Sequence, residues 1–283
     1  GINQTMRNAL SDITAKAESL VKLSSGDIVL DIGSNDSTLL RAYNTKGLIL
    51  AGFEPATNLM EEARIGTSKI INDFFNYNSF KNEFGDKKAK IITAIAMFYD
   101  LEDPNKFVSD VARCLDEEGV FIIQQNYLCS MLEQNAFDNI SHEHLEYYSL
   151  MSLKNLLNRH NLEIFDVELN DINGGSFRTY IKHKNSDTIG GFSGAEKRLA
   201  NLETYENTLG LQNRKTYDEF AARINKIKER LTTFIKEETV NGKKVYVYGA
   251  STRGNTLLQY FNLDHTLLNA AAERNPAKWG KKT

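Results

Sequence analysis

The chain has 283 residues, of which 41% are hydrophobic and 25% charged, a composition that excludes a wholly disordered, collagen-like or coiled-coil protein. The 34 basic and 37 acidic residues leave a formal charge of -3, which argues against a dedicated nucleic-acid or anionic-membrane surface. No apolar run approaches the roughly 18 residues of a membrane span, no signal peptide opens the chain, and Cys114 and Cys129 are too few for a disulfide framework or a four-thiolate zinc site. The expectation is a cytoplasmic α/β protein with two reduced thiols.

Apolar positions at helical spacing (Ile2, Met6, Leu10, Ile13, Ala17, Leu20) predict an opening helix over residues 2–23. A buried strand over 28–33 follows, with a helix from Ser37 to Tyr43. Further strands are expected at 48–54, 69–73, 91–96 and 120–124, with a helix from Pro104 to Leu115. Alternation of strand and helix implies a parallel, doubly wound sheet. A helix over 153–159 leads to strands 162–169 and 176–183, joined by the turn-rich Asn170-Asp171-Ile172-Asn173-Gly174-Gly175 as an antiparallel hairpin. Five parallel strands closed by a late hairpin outline a class I methyltransferase, Rossmann-like, more than a plain dehydrogenase. Residues 191–240 read as helical, with Tyr217, Phe220, Ile224, Ile227, Leu231 and Phe234 forming one apolar stripe. A buried strand at 244–248, a helix at 255–261 and a strand at 268–272 make one strand–helix–strand unit. The division expected is therefore a cofactor domain at 1–187, a helical connector at 188–241 and the beginning of a second α/β domain at 242–283. Residue 1 is Gly rather than Met, and the chain stops ten residues after Glu273, so trimmed ends are expected.

The first chemical signal is Asp31-Ile32-Gly33-Ser34-Asn35-Asp36-Ser37-Thr38. A glycine at the carboxyl end of the first parallel strand allows backbone to approach a ligand. Glu54 ends the next strand, 23 residues after Asp31, where a carboxylate can accept hydrogen bonds from both ribose hydroxyls of an adenosine cofactor. The turn carries one glycine rather than G-x-G-x-x-G. This suits S-adenosylmethionine, which has no pyrophosphate to approach, better than a dinucleotide. Asp73 and Phe74, after the third strand, are placed to address an adenine by hydrogen bond and stacking; carboxylates that merely end strands are the alternative. Pro55 and Ala94 complete the expected cofactor set.

The densest polar cluster is Ser141-His142-Glu143-His144-Leu145-Glu146-Tyr147-Tyr148. It is not H-E-x-x-H, and no third ligand lies nearby, so no metal is expected. Histidine beside a carboxylate suits proton transfer near neutral pH; two surface histidines in a loop are the alternative. Asn173-Gly174-Gly175-Ser176-Phe177-Arg178 offers groups suited to a phosphate or sugar, or is simply a hairpin turn with an exposed arginine. Gly249-Ala250-Ser251-Thr252-Arg253-Gly254 follows a strand and opens a helix, and taken alone could cradle an anion or a dinucleotide.

Together these segments resemble the S-adenosylmethionine-dependent sugar C-methyltransferases that act on nucleotide-linked 4-keto-deoxysugars. The resemblance is carried by Val29 to Asp36, Gly52-Phe53-Glu54-Pro55-Ala56, His142-Glu143-His144-Leu145 with Tyr147-Tyr148-Ser149, and Gly174 to Arg178. Val247-Tyr248-Gly249-Ala250, Gly254-Asn255-Thr256 and Glu273-Arg274-Asn275-Pro276 complete it. It implies a cofactor domain, a helical connector and a carboxyl-terminal α/β domain, with the substrate in the cleft between them. Members usually also carry an amino-terminal zinc module and a longer carboxyl-terminal domain, both absent from this sequence. The sequence departs from the family at Ser37, where Gly is usual, and at Ser141, where Tyr is frequent. The mechanism implied is proton abstraction next to the 4-ketone, followed by attack of the enolate on the cofactor's methyl group. By this resemblance His144 is the base, with Glu143 orienting it or handling a proton and His142 or Tyr99 near the oxyanion. Tyr99, Asn173, Ser176, Arg178 and Arg253 are the expected substrate contacts. Competing readings are an O- or N-methyltransferase on another small molecule, a nicotinamide oxidoreductase using the Gly249 turn, and an inert nucleotide-sugar-binding fragment.

Overall fold

A computed structural model describes residues 4–187 and 189–281. Ile2, expected in the first helix, and the expected boundary residue Thr188 lie outside the described residues. In chain order the elements are α1 (Gln4–Leu20), β1 (Ile28–Ile32), β2 (Ile49–Phe53), α2 (Met60–Ala63), β3 (Lys69–Ile71), α3 (Tyr77–Phe84), β4 (Ala89–Ile95), α4 (Pro104–Cys114) and β5 (Leu115–Asn126). They continue with α5 (Leu128–Glu133), α6 (Leu150–Asn158), β6 (Leu162–Asn170), β7 (Ser176–His183), α7 (Ala195–Leu209), α8 (Arg214–Val240), β8 (Tyr246–Tyr248), α9 (Thr252–Phe261) and β9 (Ala270–Ala272).

These elements fall into two compact units. One comprises residues up to Tyr127 together with Glu146–Glu206, the other Leu128–Leu145 with the residues from Asn207 onward. The units cut across the linear division expected from the sequence, because the segment 128–145 groups with the carboxyl-terminal residues.

The first unit is built on a seven-stranded sheet in the order β3-β2-β1-β4-β5-β7-β6. Strands β1 to β5 are mutually parallel, while β7 runs antiparallel to both β5 and β6. This is the class I methyltransferase arrangement. β1 is buried along its whole length and β4 and β5 through their middle segments, and these stretches read as continuous apolar runs (Ile28-Val29-Leu30, Ile91-Ile92, Val120 to Ile123), as strands covered on both faces must. The apolar face of α1 (Leu10, Ile13, Ala17) packs in the same core as Val29, Ile91 and Ile122. At the far end of β5, the buried Glu206 carboxylate accepts hydrogen bonds from Tyr127 Oη (2.8 Å) and from the Met151 amide (2.9 Å) in the first turn of α6.

Three expectations are corrected here. The helix from Ser37 to Tyr43 is instead a string of turns with one 3₁₀ turn at Leu40–Ala42, because Asn35 (φ 49°) and Ser37 (φ 59°) take left-handed conformations incompatible with helix entry. The helical region 191–240 is two helices, broken at Gly210 (φ 71°). In the second unit β8 and β9 form a parallel pair as expected, but Tyr248 is 97% exposed, so this strand is not buried among the described residues. The α8 stripe is divided likewise: Phe220 and Ile224 are buried, whereas Tyr217, Ile227 and Phe234 are exposed.

Candidate functional site

In the first unit the chemistry gathers at the carboxyl ends of β1 and β2. Gly33 leaves β1 at φ 72°, a conformation that a Cβ disfavours, and an added Cβ would stand 3.2 Å from Met97 Cγ. Backbone amides of Gly33 and Ser34 both donate to the Phe53 carbonyl, at 2.9 and 3.0 Å, and draw the turn against β2. That approach needs Gly52, where a Cβ would fall 2.6 Å from Ser34 Oγ. Glu54 then points into the turn: Oε2 accepts from the Asn35 amide (2.8 Å) and Oε1 from the Ala56 amide (2.9 Å). A carboxylate has about four acceptor sites, so Glu54 keeps capacity for two more donors.

Beneath this turn Asp31 is buried and accepts from Thr93 Oγ1 at 2.6 Å. Burial pushes its carboxyl up to about 7; the Thr93 hydroxyl opposes this and the nearby Glu54 carboxylate adds to it. Ser34 Oγ and Ser37 Oγ are buried without a hydrogen-bond partner among the described residues. Left-handed Asn35 and Ser37, with Ala96 (φ 56°) after β4, concentrate backbone strain along this edge, as ligand-binding turns commonly do. An inward carboxylate with spare acceptor capacity, two unpaired hydroxyls and a glycine-tight turn fit the adenosine and amino-acid parts of S-adenosylmethionine.

Other expected residues are placed less uniformly. Asp73 directs its carboxylate to its own loop, accepting from the Phe74 amide (2.8 Å) and from Ser79 Oγ (3.2 Å), which leaves it less suited to an adenine than expected. The Phe74 ring stands 76% exposed, available for stacking. Pro55 is exposed, and its carbonyl accepts from Asn72 Nδ2 at 3.1 Å; the same amide donates to the Glu54 carbonyl at 2.9 Å. Sequence reasoning missed Asn72, a clamp on the 54–55 backbone, and Thr93, the donor to Asp31; neither belongs to a recognisable motif. Ala94 is fully buried near the carboxyl end of β4, paired with Ile32 at the end of β1 and with Ile123 of β5.

Among the expected substrate contacts, Tyr99 lies in a 3₁₀ turn after β4, its phenol pushed up to about 12 by burial and by the neighbouring Asp100 carboxylate, so it remains a proton donor. Asn173 is exposed at the hairpin tip, left-handed at φ 55°. Ser176 and Arg178 are corrected: both are buried and satisfied internally. Ser176 Oγ donates to the Ile172 carbonyl (2.8 Å). Arg178, 3% exposed, donates to Gln124 Oε1 (2.8 Å) and to Asp12 Oδ2 (2.7 Å), with Glu168 Oε2 at 3.5 Å. The arginine is a tie between the sheet and α1, because its position on β7 faces inward rather than to the hairpin tip.

In the second unit the histidine cluster follows a 3₁₀ turn at Phe137–Asn139. His142 and Glu143 lie exposed in a tight turn, and the His144 amide donates to the Ser141 carbonyl at 3.2 Å. The His144 ring is half-buried, with Nδ1 2.7 Å from the Asn139 carbonyl. A carbonyl only accepts, so Nδ1 carries a proton, and in the neutral ring the lone pair is then on Nε2. No group of three metal-ligating side chains occurs among the described residues. Arg253, in the first turn of α9, donates from Nε to Asp138 Oδ2 at 2.7 Å.

The fold and the turn after β1 are those of a methyltransferase domain, and the family comparison agrees. The chain belongs to the methyltransferase domain family, whose model matches residues 2–167. The model of the C-methyltransferase C-terminal domain matches residues 171–283. The chain is similar to the C-methyltransferase NovU of Streptomyces niveus, 28% identical over 267 residues that cover 92% of this chain; it spans 61% of that relative's length. Among solved structures it is similar to the plantazolicin methyltransferase BpumL in complex with a pentazolic desmethylPZN analog and SAH (15% identity, 64% of this chain and 86% of that one, TM-score 0.49). It is also similar to an S-adenosylmethionine-dependent methyltransferase of Clostridium acetobutylicum (14% identity, 67% and 93%, TM-score 0.46). No helix among the described residues is long and apolar enough to cross a membrane.

Proposed function

We propose that this protein is an S-adenosylmethionine-dependent C-methyltransferase acting on the carbon next to the ketone of a nucleotide-linked 4-keto-deoxysugar. The observation that carries the reading is the 2.7 Å contact of His144 Nδ1 with the Asn139 carbonyl: with Nδ1–H held there, Nε2 of the neutral ring is the proton acceptor. Carbon methylation needs such a base, because a C–H next to a ketone is not acidic enough to ionise unaided at neutral pH. An O- or N-methyltransferase would find its nucleophile already bearing a lone pair.

When bound, the cofactor supplies a methyl group on a positively charged sulfur. Glu54 would accept hydrogen bonds from its ribose hydroxyls, and the turn 33–37 would hold its amino-acid part. His144 Nε2 takes the proton from the sugar carbon, and the electron pair moves onto the ketone oxygen as an enolate. Tyr99, which keeps its phenolic proton, or His142 is the donor we assign to that oxygen. Glu143 orients the base or relays its proton. The enolate so formed would be the carbon nucleophile for the methyl group that the bound cofactor would supply, the bonding pair remaining with the cofactor. Alignment is the remaining contribution of the protein to this step. A carboxyl-terminal domain matching the C-methyltransferase model and the likeness to NovU support a carbon acceptor; the ketosugar follows from the resemblance of the motifs.

The test is His144→Ala with a thymidine-diphosphate-linked 4-keto-6-deoxyhexose. Methylation and cofactor-independent uptake of solvent deuterium at the sugar carbon should both fall at least about 100-fold, while calorimetric affinity for S-adenosylmethionine stays within about twofold. Equal loss of cofactor binding, or undiminished methylation, would refute the assignment.

A further inference from the structure

The turn that precedes the histidine cluster is anchored by three consecutive residues, each in a different way. Phe137 is buried and stacks on Phe261 of α9, with ring centroids 5.2 Å apart and planes 26° from parallel. Asp138 accepts from Arg253 Nε at 2.7 Å, both side chains being largely withdrawn from solvent (25% and 39% exposed). Asn139 presents the carbonyl that receives His144 Nδ1–H. The stretch before the turn is held as well: Arg223 of α8 donates to Asn135 Oδ1 and to the Leu132 carbonyl, each at 2.8 Å.

Arg253 is ill-placed for α9 itself. It lies in the first turn, where the helix dipole disfavours a cation. Ser251 already caps that end, accepting from the Gly254 amide at 3.0 Å. The cation therefore serves its partner, Asp138. A carbonyl that must fix a tautomer has to hold its 2.7 Å distance from Nδ1 to within a few tenths of an ångström, and a 3₁₀ turn held by one stack and one charged hydrogen bond meets that demand.

We infer that Arg253 is a positioning residue for the base: its bond to Asp138 holds the Phe137–Asn139 turn so that the Asn139 carbonyl keeps the proton of His144 on Nδ1. This rests on the reading of His144 as the base, and it replaces the expectation that Arg253 binds substrate.

The experiment uses the full chain with Arg253→Met, Arg253→Lys and Asp138→Asn. Nitrogen-15 NMR of the imidazole rings, with His144 assigned by its loss in His144→Gln, should show protonated Nδ1 in the wild type. Arg253→Met and Asp138→Asn should give a mixture shifted toward protonated Nε2. With the ketosugar probe above, kcat should fall about tenfold or more and KM should stay within about twofold. Arg253→Lys, which keeps the charge, should recover most of both readouts. An unchanged His144 tautomer in Arg253→Met and Asp138→Asn would overturn the inference, as would a rise in KM alone, which would make Arg253 a substrate contact. Thermal melts separate loss of fold from loss of position, and the lysine variant keeps the comparison open if the methionine variant is unfolded. If His144→Ala still methylates, the base assignment fails, whereas the NMR readout continues to report the link between Arg253 and the ring.

Discussion

Ser37 stands at φ 59° with a buried hydroxyl that nothing among the described residues pairs. A left-handed residue with a Cβ costs about 1–2 kcal/mol that glycine avoids, and glycine returns part of this through its freer unfolded chain. Relief of the unpaired hydroxyl adds to the gain. Ser37→Gly, the residue usual in the related family, should therefore stabilise the fold by about 1 kcal/mol. Urea denaturation reads this directly, and a destabilised variant would mean that the hydroxyl has a partner worth more than the strain. At this scale, residues whose role follows from their place on a strand are legible in the sequence: Glu54 and Asp31 end β2 and β1, and a carboxylate there faces the turn. Roles that depend on backbone atoms are not. Nothing in the letters Phe137-Asp138-Asn139 says that a carbonyl sets a histidine tautomer. Nor can an arginine in a glycine-rich turn be told from one that binds an anion.

Between elements, the heaviest single tie is Arg178. Its guanidinium on β7 meets Gln124 of β5, Asp12 of α1 and Glu168 of β6, so four elements converge on one side chain. Burial lifts the Asp12 carboxyl, but Arg178 and Lys16 together outweigh it and hold it below its usual value. Arg178→Met keeps the aliphatic stem but removes the charged donor from Asp12 and leaves the buried Gln124 Oε1 with only the longer hydrogen bond from Asn170 Nδ2, at 3.2 Å. We expect a loss of about 3 kcal/mol, since charged hydrogen bonds contribute about 1.5–3 kcal/mol each and the partly exposed Asp12 regains water. Calorimetric affinity for S-adenosylmethionine should be unchanged; a weakened affinity with intact stability would return Arg178 to the binding site. The sheet is legible at the element scale because parallel, doubly covered strands are apolar throughout. The short segment after β1 has the apolar spacing of a helix, but two left-handed residues outweigh it. The grouping of 128–145 with the carboxyl-terminal residues is hidden for a different reason: chain order says nothing about which neighbours a loop packs against.

For the whole molecule, the titrations divide the pH scale in two. Asp12, Glu18 and Asp116 are each lifted by burial but lowered further by their hydrogen-bond partners, and all end below their usual values. A carboxyl lowered in the fold contributes stability that is present above its unfolded value and lost as pH falls, so these three favour the folded state above about pH 4. Asp31 works in the opposite sense. Burial raises it to about 7, so the folded state keeps a proton that the unfolded chain gives up from about pH 4. Its contribution is complete below about pH 4 and lost as pH rises toward 7. Lys90 is raised from an ordinary value of 10.5 and changes nothing in this range. Stability should then peak near pH 5 and decline toward pH 8. The decline is on the order of 3 kcal/mol, at roughly 1.4 kcal/mol for each pH unit over which the folded chain alone holds the proton. In Asp31→Asn, which cannot ionise, the decline between pH 5 and 8 should flatten. Urea denaturation of both proteins at the two pH values, followed by circular dichroism, is the measurement. A wild-type curve as flat as that of the variant would mean that Asp31 ionises in the fold as readily as in water, and that the Thr93 hydroxyl and water reaching the turn outweigh its burial.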